Sequence, residues 1–156
     1  MADRAACKRQ LIAAVEAALV AARAAHAAAA EGATHSESRA ENDKDTRGLE
    51  QSYLARGYAA RVAELEAALV GVAALPVGPP GAVASAGAIV TVVDDDDARH
   101  RYYLAPWGGG LALADAITVV TPASPIGRAL FGRRRDDEVE LQRPDGPRSW
   151  TIEAIG

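Results

Sequence analysis

Cysteine, lysine and aromatic side chains are scarce in this chain. A single cysteine, Cys7, stands among 156 residues. An intramolecular disulfide framework and a structural Cys₄ zinc site are therefore both excluded. Aromatics make up 4%, which argues against one large aromatic core. No proline occurs before Pro76, and only Gly32, Gly48, Gly57 and Gly71 precede it. No uncharged apolar run of 18 residues exists, so no membrane span is expected. The first ten residues, MADRAACKRQ, carry charge where a signal peptide builds its apolar stretch, so no export signal is read and a cytoplasmic location is expected. Positive charge is not in surplus: the net charge is −4, with only two Lys beside 15 Arg. That balance argues against a free nucleic-acid binder relying on a basic surface.

What fills the space is alanine, 37 residues of it, a composition that favours helix and close helix contact. In the first half, Ile12, Val15, Leu19, Ala22, then Ala25 or His26, and Ala29 recur at three- and four-residue steps, one apolar stripe on a helix. Leu54, Tyr58, Val62, Leu65, Leu69 and Val72 form a second stripe with a coiled-coil seam's spacing. Two stripes on one stretch predict an antiparallel helical hairpin over residues 1–75, the small residues of one helix facing the large ones of the other. An intermolecular coiled coil is the alternative. Residues 76–87, PVGPPGAVASAG, hold three Pro and three Gly, a linker composition.

Apolar periodicity stops over about 31–50, EGATHSESRAENDKDTRGLE, where the hairpin needs its tip. Glu31, Glu37, Glu41, Asp43, Asp45 and Glu50 are acidic there. Carboxylates at the end of a long arm can place a hard-cation ligand inside another molecule's cavity, and Mg²⁺ accepts one or two such groups while keeping waters. A solvated polar loop is the plainer reading of the same residues.

The rest, 88–156, reads as an α+β module. Strands are expected at Ala88–Val93, His100–Ala105, Ile117–Thr121, Glu138–Gln142 and Ser149–Ile155. A short helix spans Ser124–Phe131, with Ser124 as N-cap and Pro125 at its first position. The Asp94–Asp97 run reads as a hairpin turn, because neighbouring carboxylates on a tight turn cannot converge on one ion and Asp favours turns. Trp107-Gly-Gly-Gly110 lacks the surroundings of a phosphate loop and reads as a flexible connection. The fold expected is a twisted antiparallel sheet with one helix.

The stretch ITVVTPASPIGRALFGRRRDDEVELQRPDGPRSWTIEAI resembles the C-terminal domain of the bacterial Gre family of transcript-cleavage factors. The matching residues are Ser124, Pro125, Ile126, Arg128, Ala129, Leu130, Gly132, Asp137, Glu138, Val139, Pro144 and Gly146. The Glu41–Asn42 step and Arg61–Leu69 resemble parts of that family's hairpin. The resemblance implies an FKBP-like fold for 88–156 and a monomer when free. It implies binding to bacterial RNA polymerase, with Ser124, Pro125, Ile126 and Arg128 docking at the rim of its secondary channel. The hairpin would enter the channel, and its tip acids would share the polymerase's Mg²⁺. The polymerase, not this chain, would then hydrolyse backtracked RNA, and the nascent RNA 3′ end would be met only through polymerase. Glu41 alone matches the family's tip residue by residue. Ser38 stands where the family has Asp, so Glu37, Asp43 and Asp45 are candidates by proximity. Glu41 and Asp43 are the metal-sharing pair expected.

Other single residues have plain readings. His35 reads as a loop residue, His26 as a seam or surface residue and Cys7 as an ordinary side chain. Arg133–Arg135 reads as a solvated turn or a contact for an acidic surface, and Tyr102, Tyr103 and Trp150 as sheet core. Three functions stay open: a cleavage-stimulating Gre-like factor, a Gre-like channel occupant without cleavage, and an FKBP-like isomerase or chaperone with a coiled-coil arm. The poverty in aromatics counts against the last, because isomerase pockets are aromatic-lined.

Overall fold

The computed structural model describes residues 3–39 and 46–156. Glu41, Asp43 and Asp45 lie outside the described residues, and of Glu37 only its backbone place on a helix is described. Helix α1 spans Arg4–Arg39 and α2 spans Thr46–Ala73. The chain forms two compact units, one of Met1–Ala13 with Val70–Gly156 and one of Ala14–Leu69.

The second unit is the body of the hairpin. Arg23 reaches Glu66 at 3.3 Å, and Gly32 lies against Gln51, whose Oε1 would meet an added Cβ at 3.1 Å. Partners move down α2 as they move up α1, so the helices are antiparallel. Val15, Leu19, Ala22 and Ala29 are buried on α1, and Leu65 on α2. The expected seam is displaced at its distal end. Leu54 and Tyr58 are 48% and 37% exposed, while Gly48 is buried and Ser52 and Ala55 are half-buried. The facing part of α1 is alanine, and closely approaching helices fill their seam with small residues. Leu54, one position from Ala55, is rotated about 100° away.

Part of α1, within Arg4–Gly32, is long and apolar enough by length and composition to cross a membrane, with mean hydropathy 1.5 over its most apolar window. The test applied to the sequence alone, an uncharged run, does not find it, because Glu16 and Arg23 interrupt the alanines.

The first unit is built on a six-stranded sheet in the order β3-β4-β2-β1-β6-β5. Its strands are β1 Ile89–Val93, β2 Arg99–Leu104, β3 Ala112–Leu113, β4 Ile117–Val120, β5 Glu138–Arg143 and β6 Gly146–Ile155. Helix α3, Pro125–Leu130, lies between β4 and β5. The sheet is mixed, not wholly antiparallel as expected, because β2 pairs with β4 in parallel. The connection after β2 makes that possible. It carries the chain through the two-residue β3, which pairs with β4 antiparallel. The Trp107–Gly110 segment is accordingly an ordered turn, not a flexible one. Gly108 and Gly110 take φ of +88° and +89°, and Gly110 donates to the Val119 carbonyl at 2.8 Å. The Asp94–Asp97 run is the β1–β2 turn, with Asp97 at φ 62°.

Strand alternation sends Tyr102 and Leu104 to one face and Tyr103 to the other, and all three are buried. On the first face Val90, Val92, Tyr102, Leu104, Val120, Trp150 and Ile152 pack with Leu130 of α3. The base of the hairpin belongs to the other. Arg4 donates to the carbonyls of Gly87 and Gly78 at 2.6 Å each, Lys8 to that of Leu75 at 2.9 Å, and Gln10 Oε1 accepts the Ala114 amide at 2.8 Å. Cys7 and Leu11 are buried there. The Pro/Gly segment 76–87 is bonded into this unit: Ala84 is buried and exchanges backbone bonds with Arg133 and Gly132 at 2.7 and 2.8 Å.

Candidate partner-docking site

Four residues before α3, the chain leaves β4 at Thr121 and must reverse. Ser124 organises the reversal. Its backbone is extended, its Oγ accepts the Gly127 amide at 3.0 Å, and the same hydroxyl donates to the Thr121 carbonyl at 2.8 Å. Pro125 follows at the first helical position, where its missing N–H costs nothing and its fixed φ suits the helix. Gly127 is the residue that sequence reasoning passed over. A Cβ there would collide with the Thr121 carbonyl, so only glycine lets α3 lie this close to the strand it has just left. A glycine inside a short helix, where it costs stability relative to alanine, is the sequence signal of such a close backbone approach.

That reversal builds one wall of a surface groove of about 370 Å³, lined among others by Ser124, Pro125, Ile126, Val120, Leu141 and Arg143. Gly109 and Gly110 of the ordered glycine turn form the opposite wall. Ile126 is partly buried against the sheet core, and Arg128 is exposed. The arrangement offers an apolar slot with a guanidinium at its edge, which suits an apolar side chain of a partner macromolecule. Ser124, Pro125, Ile126 and Arg128 thus share one short helix start, with no titratable dyad or nucleophile among them. Arg133–Arg135 form the turn after α3: the Arg134 amide donates to Asp137 Oδ2 at 2.7 Å, and Arg135 lies 4.0 Å from Asp136.

The remaining chemistry-bearing residues are structural. Tyr102, Tyr103 and Trp150 are 8%, 0% and 3% exposed. Burial pushes the Tyr103 hydroxyl up to about 12. Cys7 is 1% exposed, and burial raises its thiol above the ordinary value, with Asp3 adding to the effect; a thiol held protonated is a poor nucleophile. Among the described residues, no group of three or more His, Cys, Asp or Glu is placed to hold a metal ion.

Comparison with known proteins bears on this surface. The family model described as the C-terminal part of transcription elongation factor GreA/GreB matches residues 79–156, which contain all of α3 and the groove. A protein of Sphingopyxis alaskensis named transcription elongation factor GreA is 41% identical over 70 residues, 44% of this chain and 42% of that one. One of the same name from Azorhizobium caulinodans is 34% identical over 94 residues, 59% of this chain and 58% of that one. The matched part thus spans about half the length of these relatives. Among solved structures, the GreA factor homolog Gfh1 of Thermus thermophilus aligns over 93% of this chain and 94% of its own, at 22% identity and a TM-score of 0.40.

Proposed function

The chain belongs to the GreA/GreB family of transcription elongation factors, and from that premise we propose that it binds bacterial RNA polymerase and stimulates the polymerase's own cleavage of backtracked RNA. The observation that carries the reading is the family match over the sheet, preceded in the same chain by two antiparallel helices whose connection is acidic. Helices of 36 and 28 residues extend about 54 Å and 42 Å at 1.5 Å per residue. An arm of that length can reach into a channel while its base is held outside.

In this reading the α3 groove docks at the rim of the secondary channel through Ser124, Pro125, Ile126 and Arg128. Glu41 and Asp43 carry carboxylates to the polymerase's catalytic centre, with Asp45 and Glu37 beside them. Carboxylate oxygens are hard donors that fit Mg²⁺. In the complex Glu41 and Asp43 would be the residues of this chain that hold the Mg²⁺, which would supply polarisation of the phosphate and activation of the attacking water. This chain turns over nothing itself; it acts as a monomer, in the cytoplasm where the polymerase is.

One observation favours a second reading. Ser38 stands where the family's tip has Asp, and an error of about 1 Å in placing a reacting group can cost about a hundredfold in rate. A tip so altered would occupy the channel and obstruct it without cleavage. The test is an assay of RNA shortening in stalled, backtracked elongation complexes, with binding to core polymerase measured in the same preparation. Shortening by the native chain, lost in the Glu41→Ala, Asp43→Ala, Asp45→Ala variant at equal binding, is the expected result. Binding without shortening selects the second reading. Absence of binding rejects both.

A further inference from the structure

Four guanidiniums lie along α3 and its groove, and the docking described above uses only one of them. Arg128 stands one helical turn on from Ser124, whose carbonyl accepts its amide at 2.9 Å, so the two share a face of the helix. At the other end of α3, Arg133 Nε donates to the Ala129 carbonyl at 3.3 Å, which sets its guanidinium beside the last turn. Arg134 follows. Its backbone is fixed by a bridge to Val83 and by Asp137 Oδ2, which accepts its amide at 2.7 Å. Arg143 lines the groove itself and lies over the Trp150 ring at 5.5 Å.

All four are exposed, and among the described residues none of them is in an ion pair. Elsewhere on the sheet the arginines are matched: Arg99 holds Glu153 and Arg148 holds Asp145, each at 2.7 Å. The acids nearest in sequence do not neutralise the α3 end. Asp136 lies by Arg135, and Asp137 is bonded to a backbone amide. Glu138 and Glu140 alternate with the buried Val139 and Leu141, so they point to the opposite side of β5. Arg143 also borders the acidic β1–β2 turn, which offsets its charge. Arg128, Arg133 and Arg134 are therefore a local cationic surface on a chain whose net charge is −4, and they adjoin an apolar slot. Resting on the polymerase reading above, we propose that Arg133 and Arg134, with Arg128, guide an acidic polypeptide segment of the polymerase to the groove. That segment seats an apolar side chain between α3 and the Gly109–Gly110 turn and sets its carboxylates against the three guanidiniums.

Arginine suits this task because its planar fork can meet a carboxylate with two parallel hydrogen bonds. Three cations beside an apolar slot fit a protein surface better than a phosphate backbone, which is bound through many charges at once. Exposed ion pairs add little affinity once formed. Complementary fields instead speed the encounter, and the gain falls as salt screens them. Arg133 and Arg134 thus act on association, while the apolar groove acts on dissociation.

The test is the association rate of the full chain with core polymerase free of nucleic acid, at about 0.05 M and about 0.5 M salt. A chain carrying both Arg133→Gln and Arg134→Gln is compared with Arg9→Glu, an exposed position on α1 where one substitution changes the net charge equally. Melting temperatures of both variants establish that the sheet is folded. At low salt the double variant associates about fivefold more slowly than the native chain, and at high salt the difference closes. Arg9→Glu stays near the native rate. A double variant as fast as the native chain, an equal loss in Arg9→Glu, or a loss that salt does not change overturns the guide and leaves polymerase binding standing. A native chain that does not bind core polymerase overturns both. Binding of a single-stranded oligoribonucleotide that the double variant loses, with the polymerase rate unmoved, assigns the arginines to nucleic acid and likewise overturns the guide.

Discussion

Tyr103 is the residue at which burial and hydrogen bonding conflict. Its ring is fully buried, and among the described residues its hydroxyl has no hydrogen-bond partner. A buried hydroxyl left unpaired costs about 1–3 kcal/mol, so Tyr103→Phe is expected to leave stability unchanged or raise it by about 1 kcal/mol, read by chemical denaturation. The same burial fixes a pH dependence. Tyr103 titrates at about 12 in the folded chain and near 10 when unfolded. Its contribution is fully present below the unfolded value and is lost as pH rises through the folded one. Stability of the native chain should therefore fall more steeply above about pH 10 than that of Tyr103→Phe. Two neighbours on α3 should part company in the same way. Gly127→Ala drives a methyl into the Thr121 carbonyl and is expected to lower the melting temperature sharply. Arg128→Ala, at an exposed position, should leave melting unchanged and, on the docking proposed, weaken polymerase binding.

At the level of elements, the helices were legible because alanine and the apolar steps permit little else, and the strands of β-branched runs were legible for the same reason. Ser124 as N-cap and Pro125 as first residue of α3 were legible because cap chemistry is local. What escaped the sequence was long-range. The parallel β2–β4 pair depends on where the chain after β2 returns, and the two-residue β3 is too short to show a period. The distal seam escaped because reasoning by size selects Leu54 and Tyr58, whereas facing alanines admit only small partners. The candidate site divides along the same line: Ser124, Pro125, Ile126 and Arg128 lie within five residues and so could be named together from the sequence, while the groove's glycines and Gly127 are defined by contacts across the fold. The displaced seam makes a prediction. Leu65 is 1% exposed and Leu54 48%; Leu65→Ala should cost about 2–5 kcal/mol as a core truncation, whereas Leu54→Ala should stay within about 0.5 kcal/mol. Thermal melts of the two variants check the difference.

For the molecule as a whole, the composition break at Pro76 and the compact units do not fall at the same place. The sheet unit takes Met1–Ala13 and everything from Val70 onward. Cys7, Leu11, Val72 and Leu75, all outside the sheet's own sequence, are buried within it, and Pro106 lies against Gly71. A fragment of residues 76–156 would lose those side chains and bare Tyr103. Burying a Val or Leu contributes about 1.5–3 kcal/mol, and a domain's total is roughly 5–15 kcal/mol, so that fragment should melt far below the full chain or associate through the uncovered face. Cutting the hairpin elsewhere should have the opposite outcome. Replacing residues 24–62 by a short glycine-containing turn removes the tip and most of the shaft but keeps every side chain the sheet unit buries. Its sheet should melt as in the native chain, with the amide dispersion of β1, β2 and β6 retained. On the function proposed, this shortened chain should still compete with the native one for core polymerase, because the α3 groove is intact, yet fail to shorten backtracked RNA. Loss of competition in a chain whose sheet is demonstrably folded would move the principal polymerase contact from the α3 groove to the hairpin.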